Sequence, residues 1–262
     1  MFEVRIFYYS HKLQGLTGQK LCFLSGTAGT GKSYTLSGLK NILSDSIYFI
    51  APTGKAADNL PFLCETIHSA FLLSPSVNLN NFELDNRKTS ILKEKFENIK
   101  FLVIEEYSMI GCRLFSTIDT ILRKIFDKDL VFGGISILLC GDIGQLLPVN
   151  DIPIWAKREE SDSEITERAK YLFSLFSTNY TLTDVMRQQG ESEIEFKRFL
   201  SRIRTGCVEM HDYNFIKQKF SSNIESLHLT TNNSKKDEIN EKRLYDLNEP
   251  VFFFRLFTPS KQ

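Results

Sequence analysis

The stretch Gly26-Thr-Ala-Gly-Thr-Gly-Lys-Ser33 follows the apolar run Leu21–Leu24 and precedes a segment with helical periodicity. It matches the pattern of glycine, four residues, glycine, lysine and serine that cradles phosphates between a strand and a helix. In such a loop, backbone N–H groups surround phosphate oxygens, Lys32 adds a positive charge, and the Ser33 hydroxyl ligates magnesium. The alternative is a glycine-rich turn without a ligand. The pattern predicts a nucleotide-phosphate site in an α/β fold.

Three further runs along the chain are short and apolar, as expected for strands of a parallel sheet that helices cover on both faces. They are Ile47–Ile50, Phe101–Ile104 and Ile135–Leu139. A stripe of apolar residues with helical spacing, from Leu114 to Phe126, lies between the last two. This alternation of strand and helix predicts a parallel sheet.

Composition limits the class of protein without assigning a function. The 262 residues include 32 Lys plus Arg and 32 Asp plus Glu, so the formal net charge is zero, and 42% are hydrophobic. The hydrophobic share excludes a wholly disordered chain, and the neutral balance gives no compositional sign of nucleic-acid binding. Because the sequence shows no signal peptide and no apolar run of roughly 18–20 residues, we expect a soluble, intracellular protein without a membrane partner.

The cysteines are odd in number and far apart, and no pair has the C-x-x-C spacing of a metal or redox site. We therefore expect reduced, mostly buried thiols, as in an intracellular protein. The five cysteines are Cys22, Cys64, Cys112, Cys140 and Cys207.

Two adjacent carboxylates, Glu105 and Glu106, follow the apolar run Phe101–Ile104. In phosphate-loop sites, a carboxylate at such a strand end holds the magnesium shell and a second one polarises the attacking water. Two acids at a strand end carry no meaning alone. Beside a phosphate loop they favour a nucleotide-hydrolysing site, with Glu105 on the magnesium side and Glu106 beside the water.

Further motifs follow the other predicted strands and the later part of the chain. In order, they are Ala51-Pro-Thr-Gly-Lys-Ala-Ala57, Thr66-Ile-His-Ser69, Cys140-Gly-Asp-Ile-Gly-Gln145, Asp184-Val-Met-Arg-Gln188 and Leu229-Thr-Thr-Asn-Asn233. Together with the phosphate loop and the glutamate pair, this ordered set resembles the Pif-type (petite integration frequency) DNA helicases of superfamily one B, relatives of the bacterial RecD helicases.

The resemblance implies a RecA-like P-loop domain with a parallel sheet at 1–188 and the start of a second RecA-like domain at 189–262. Charged, Asn- and Ser-rich segments near 74–98 and 150–170 are interpreted as surface insertions, the first with a helix around Ile91–Ile99. The implied function is an ATP-dependent 5′–3′ helicase that uses Mg²⁺ and acts on single-stranded or forked DNA in repair, recombination and telomere maintenance. The family also implies a nuclear or mitochondrial location, and we expect a monomer.

The family's catalytic roles map onto Lys32, Glu106, Gln145 and Arg187. Gln145 is similar to the γ-phosphate sensor, and Arg187 is similar to the arginine finger that stabilises charge in the transition state. An isolated arginine would more commonly form a surface salt bridge. Ser33 and Glu105 take the magnesium side. The residues implied to bind ATP are Gly26, Thr27, Ala28, Gly29, Thr30, Gly31, Lys32 and Ser33.

The family's single-strand contacts map onto two groups of residues. Small residues and hydroxyls let backbone N–H groups approach phosphates, a lysine adds charge, and a histidine stacks or hydrogen-bonds. Without the resemblance, the Thr-Asn pair would be a helix cap before 234–247, and the histidine a partly buried, satisfied side chain. The implied DNA-binding residues are Thr53, Gly54, Lys55, His68, Thr231 and Asn232.

The sequence departs from the family pattern at three places before the predicted second domain. Glu105 stands where the family has Asp, which is one methylene shorter, and Leu147 replaces the first proline of a Leu-Pro-Pro string. Tyr9 occupies the position of the family's adenine-reading glutamine, whereas Gln14 and Gln19 are out of register.

Two motifs of the family's second domain are absent after Asn233, so the chain resembles a helicase truncated at its C-terminus. The string at 11–17 is similar to one of them but precedes the phosphate loop, and we assign it to chance or to a misplaced gene segment. The competing hypothesis is a non-catalytic, nucleotide- or DNA-binding remnant of a helicase gene. A P-loop kinase or switch is a third hypothesis, but it has no use for Gln145, Arg187 and the Thr-Asn string together.

Overall fold

The computed structural model describes residues 18–74, 77–187, 193–219, 230 and 232–246. The chain divides into two compact units, the first ending at Thr205 and the second starting at Gly206. This division differs from the domain boundary predicted at residue 188. The difference arises because the helix Ile194–Thr205 belongs to the first unit, where Arg204 forms an ion pair with Asp142.

The first unit is built on a six-stranded sheet with the order β3-β2-β4-β5-β1-β6, in which every pairing is parallel. The four predicted strands are confirmed as β1, β2, β4 and β5. The other two lacked a sequence signal, because β3 has two residues and β6 is a largely exposed edge strand of polar composition. The strands are β1 (Leu21–Gly26), β2 (Ile47–Ala51), β3 (Glu65–Thr66), β4 (Phe101–Ile104), β5 (Ser136–Gly141) and β6 (Thr178–Leu182).

Helices connect these strands, one more follows β6 in the first unit, and two lie in the described part of the second unit. In the described residues they are α1 (Lys32–Leu43), α2 (Gly54–Asp58), α3 (Ile67–Ala70), α4 (Asn86–Phe96), α5 (Cys112–Phe126), α6 (Glu164–Ser174), α7 (Ile194–Thr205), α8 (Met210–Lys219) and α9 (Asn233–Asp246). None of them is long and apolar enough to cross a membrane.

Helix α5 confirms the predicted stripe of apolar residues and forms the centre of the larger core. Its residues Phe115 and Ile118 are fully buried in one cluster with residues of β4 and β5, and the helix packs against α6. Asp119 on the same helix is also fully buried, and it accepts hydrogen bonds from Arg123, Arg168 and the backbone N–H of Phe132. One buried carboxylate therefore ties α5 to α6 and to the turn before β5.

The segments near 74–98 and 150–170, which the sequence predicts as surface insertions, are largely exposed or half-buried, but each also contributes side chains to the core. Leu92 and Phe96 on α4 are buried, and so is Ile154 in the second segment. Helix α4 begins five residues before the predicted Ile91, because the Asp85 side chain caps it by accepting from the backbone N–H of Lys88 at 2.8 Å.

The second unit contains α8 and α9. The Asn232 side chain accepts from the backbone N–H of Lys235 at 2.8 Å and caps α9, as one interpretation of the Thr-Asn string predicts. Thr231 lies outside the described residues, as do Tyr9, Gln14 and the string at 11–17.

No cysteine of the described residues is joined in a disulfide, and most of the thiols are buried, as predicted. Three of the five thiols are buried and Cys64 is half-buried, whereas Cys207 is exposed.

Candidate active site

The phosphate loop and the two other groups that the motifs predict for catalysis lie on neighbouring strands. Gly26 ends β1, Glu105 follows β4, and Asp142 follows β5, which pairs with both of the other strands. Because all three strands are parallel, their carboxyl ends lie at the same edge of the sheet. This edge is where open α/β sheets bind ligands.

The phosphate loop is shaped by glycine conformation and by internal hydrogen bonds. Gly29 has φ +82° and Gly31 has φ +91°, which an L side chain adopts at a cost. The Lys32 ammonium is buried and donates to the carbonyl oxygens of Gly26 at 2.8 Å and Thr27 at 3.3 Å. The loop therefore holds a fixed positive charge at the start of α1, next to the half-buried Ser33.

Glu105 carries a buried carboxylate whose Oε2 atom has no hydrogen-bond partner among the described residues. Burial raises its pKa above the ordinary value, although a hydrogen bond with the Cys140 thiol and the charge of Lys32 act in the opposite direction. Its backbone N–H donates to the carbonyl oxygen of Ile50 on β2 at 2.8 Å. The unpaired oxygen suits a magnesium shell, because carboxylate oxygens are ligands that this ion prefers.

Glu106 directly follows and has a left-handed backbone, with φ +50°. Such a conformation is costly for a side chain that is not glycine, and it is common at functional sites. Burial and the neighbouring charge of Glu105 raise the pKa of Glu106, Lys32 lowers it, and Asp142 raises it further. Its Oε2 atom is also buried without a partner in the described part of the chain. An unpaired, poorly solvated carboxylate is a suitable acceptor for a proton from water.

The loop after β5 is organised by Asp142, whose role has no distinctive signal in the sequence. Asp142 accepts from the backbone N–H of Gly144 at 3.1 Å, and its carbonyl oxygen accepts from the backbone N–H of Gln145 at 3.0 Å. Both Asp142 oxygens also accept from the Arg204 guanidinium, one of them at 2.7 Å. Burial would raise the pKa of Asp142, but these hydrogen bonds outweigh it and hold the pKa below the ordinary range. The exposed Gln145 therefore projects from a fixed turn.

Arg187 lies beside the phosphate loop. Its backbone N–H donates to the carbonyl oxygen of Gly29 at 3.2 Å, and that of Met186 donates to the same atom at 2.7 Å. A Cβ atom on Gly29 would come within 2.8 Å of the Arg187 Cβ, so glycine is required for this approach. The predicted arginine finger is thus an exposed residue whose backbone contacts the phosphate loop.

The predicted DNA contacts of the first unit follow β2 and β3, which are neighbours in the sheet. Thr53 caps α2 by accepting from the backbone N–H of Ala56 at 3.2 Å, and Thr66 caps α3 by accepting from that of Ser69 at 3.2 Å. Lys55 on α2 is exposed and His68 on α3 is half-buried. A Cβ atom at Gly54 would meet no atom within 4 Å, so the space beside this residue is open to a ligand.

Two functional or positioning residues had no distinctive sequence signal. Arg204 lies in the string Arg204-Thr205-Gly206, which indicates only the end of a helix, and its partner Asp142 is 62 positions away in the sequence. Gln19 is near the family's adenine-reading position, but its side chain donates to the carbonyl oxygens of Val131 at 2.6 Å and Ile135 at 2.8 Å. Gln19 therefore joins the residues directly before β1 to the turn before β5 by hydrogen bonds.

Comparison with known proteins agrees with the geometry. The family model of PIF1-like helicases matches residues 12–214. The ATP-dependent DNA helicase PIF1 of Saccharomyces cerevisiae is 30% identical over 197 residues, which are 71% of this chain and 21% of the yeast protein. The ATP-dependent DNA helicase PIF1 of Xenopus laevis is 28% identical over 239 residues, covering 88% of this chain and 35% of the frog protein. The chain thus spans about a fifth to a third of these relatives.

Solved structures give the same result. The crystal structure of Bacteroides Pif1 bound to single-stranded DNA superposes with a TM-score of 0.64 at 25% identity and covers 91% of this chain and 55% of that one. The six-stranded parallel sheet of this chain is thus the RecA-like sheet of these helicases. With a family model that matches most of its length, the chain belongs to the PIF1-like helicase family.

Proposed function

We propose that this chain contains the ATP-hydrolysing part of an ATP-dependent DNA helicase, moving 5′ to 3′ on single-stranded or forked DNA. One observation carries the proposal: the phosphate loop, the Gln145 turn, Arg187 and the glutamate pair meet at one edge of the sheet, and each glutamate has one buried oxygen without a partner among the described residues. Two neighbouring strands at the same edge end in the segments implied to contact DNA. Hydrolysis and DNA binding then share one rigid sheet.

In this proposal, the chain's own residues perform four tasks. The loop N–H groups and Lys32 bind and orient the β- and γ-phosphates, and Glu106 accepts a proton from the attacking water. Gln145 hydrogen-bonds the water or the transferring group, and Arg187 stabilises the charge that develops on it. Ser33 and Glu105 would hold Mg²⁺, which neutralises phosphate charge when bound.

A turnover measurement tests the proposal. We expect ATP hydrolysis by this chain to rise when single-stranded DNA is added, and we expect Glu106→Gln to reduce it by at least about 10²-fold, because general base catalysis is lost. The variant should retain nucleotide affinity, measured by fluorescence of a labelled ATP analogue. If turnover by the unaltered chain never exceeds that of the Glu106→Gln control, the proposal of an enzyme is wrong. The hypothesis of a non-catalytic remnant would then be the one that remains.

Two finer features remain part of the proposal. A monomer is expected to suffice for ATP turnover, which light scattering of the active species would test. The nuclear or mitochondrial location rests on family resemblance, and imaging of the tagged chain in its own cells would test it.

A further inference from the structure

The segment that presents His68 has little stability of its own. Strand β3 contributes two residues, and α3 has only four, far below the roughly 12–15 residues that an isolated helix needs. The Thr66 cap satisfies one backbone N–H at the start of α3. The orientation of this segment must therefore be set by its neighbours.

The Glu65 carboxylate joins the segment to two other elements. It accepts from the Tyr48 hydroxyl on β2, from Lys95 Nζ on α4 at 3.0 Å, and from the Ser69 hydroxyl on α3 at 3.2 Å. Glu65 is partly buried, and burial would raise its pKa, but the donors outweigh this and lower it. One carboxylate thus gathers three side chains around the start of α3.

Lys95 holds the other end of the same helix. Its Nζ also donates to the carbonyl oxygen of Ala70, the last residue of α3, at 3.3 Å, and lies 5.3 Å from the centre of the Tyr48 ring. The helix that carries Lys95 is itself fixed, because Phe96 stacks on the buried Phe71 with ring centres 5.4 Å apart. Lys95 therefore contacts both ends of α3, through Glu65 at the start and through the Ala70 carbonyl at the end, from a helix that is itself packed in the core.

We infer that Glu65 and Lys95 are positioning residues that set the DNA-contacting segment Thr66–Ala70, without touching DNA themselves. The inference rests on the proposed function, since it assigns a role to residues that surround a proposed DNA contact. It also gives a function to α4, which lies in a segment that the sequence pattern indicates only as an insertion.

Charge makes the test sharp, because the two residues have opposite signs. Glu65→Gln removes a negative charge, so electrostatics alone would strengthen binding to DNA, whereas loss of positioning weakens it. We expect Glu65→Gln and Lys95→Met each to weaken the affinity of the full chain for labelled oligo-dT about fivefold to tenfold, by fluorescence anisotropy. Lys95→Arg should retain most of the affinity, because it keeps the charge and the donors.

Lys93→Met is the matched control, since Lys93 is an exposed lysine on the same helix. It removes the same charge and should change the affinity by less than about twofold. The salt dependence of binding provides a second measurement. A residue that positions without contacting phosphate leaves the slope of log K against log salt unchanged, whereas loss of a phosphate contact reduces it by about one.

Three results would overturn the inference. They are unchanged or tighter binding by Glu65→Gln, equal effects of Lys95→Met and Lys93→Met, and a reduced salt slope for Lys95→Met. Nucleotide affinity, measured in parallel, should stay constant in every variant. If the unaltered chain binds ATP but no oligo-dT, the DNA part of the proposed function fails, and this inference fails with it.

Discussion

At the scale of single residues, Glu105 shows how a site retains an unfavourable charge. Its carboxylate is buried, one oxygen lacks a partner among the described residues, and its pKa is raised. An ionised group with a raised pKa destabilises the folded state at neutral pH, and this penalty is relieved as the pH falls towards the ordinary value of 4.5. The native chain thus bears a cost in stability at neutral pH at a position where a divalent cation would be useful.

We predict that Glu105→Gln stabilises the protein at pH 8 while abolishing Mg²⁺-dependent turnover. The free energy of unfolding should rise by on the order of 1 kcal/mol, which corresponds to a melting temperature about 2–4 °C higher. The gain should shrink as the pH falls through the raised pKa and disappear below the ordinary value of 4.5, where the native carboxyl is protonated in both the folded and the unfolded state. Thermal unfolding followed by circular dichroism at several pH values measures it.

The exposed Glu97 supplies the control, because Glu97→Gln removes the same charge from the surface and should leave the melting temperature nearly unchanged. A melting temperature that falls in Glu105→Gln at pH 8 would show that the attraction of Lys32 outweighs burial.

The sequence predicts the charged residues of this site better than their surroundings. Lys32, Glu105 and Glu106 are predictable because each stands at a fixed spacing from a strand end. The raised pKa values of the two glutamates depend on burial, which only the packed structure determines. Arg204 was missed because its partner Asp142 lies 62 positions away.

At the scale of elements, the Asp142–Arg204 pair joins the loop after β5 to α7. Gly144 allows this approach, since a Cβ atom there would lie 2.7 Å from the Arg204 guanidinium. The pair holds Asp142 ionised, so its contribution to stability is present above the ordinary pKa of 3.8 and is lost as the pH falls through the lowered value.

We predict that Arg204→Met lowers the free energy of unfolding by about 1–2 kcal/mol at pH 7, because Asp142 is left buried without its guanidinium. This value is below that of a fully buried pair, since the Arg204 side chain is 39% exposed. Arg204→Lys should recover only part of the loss, because an ammonium cannot donate in the planar, two-pronged geometry. Urea unfolding of the three proteins measures the series.

Arg198→Met on the same helix is the control, because Arg198 is 68% exposed and its contact with Glu195 is long, at 4.0 Å. A loss in Arg198→Met equal to that in Arg204→Met would indicate a change in helix α7 itself. The ion pair would then contribute nothing specific.

Elements were predictable where burial on both faces gives a continuous apolar run, as in β2 and β4. They were missed where tertiary pairing outweighs composition, as in the polar edge strand β6. The N-terminal turn of α4 was missed because a side-chain cap at Asp85, rather than apolar periodicity, starts the helix.

At the scale of the whole molecule, the unit that ends at Thr205 contains the complete set of nucleotide-site residues described above. We predict that a chain shortened after Thr205 unfolds cooperatively and retains nucleotide affinity within about twofold, as expected for a compact domain with its own core. Its affinity for oligo-dT should fall, because Asn232 is absent. Loss of nucleotide binding on shortening would show instead that the second unit is needed for the site.

The backbone hydrogen bond from Glu105 to Ile50 connects the nucleotide site to the strand that leads to the proposed DNA contacts. The side chain of Glu105 faces the nucleotide half of the sheet edge, and its N–H is bonded to the strand that leads to Thr53. If nucleotide binding alters the affinity for DNA through this strand by some factor, thermodynamic linkage requires DNA to alter nucleotide affinity by the same factor. A binding cycle with four measured constants would therefore close, and the coupling free energy could be obtained from either ligand.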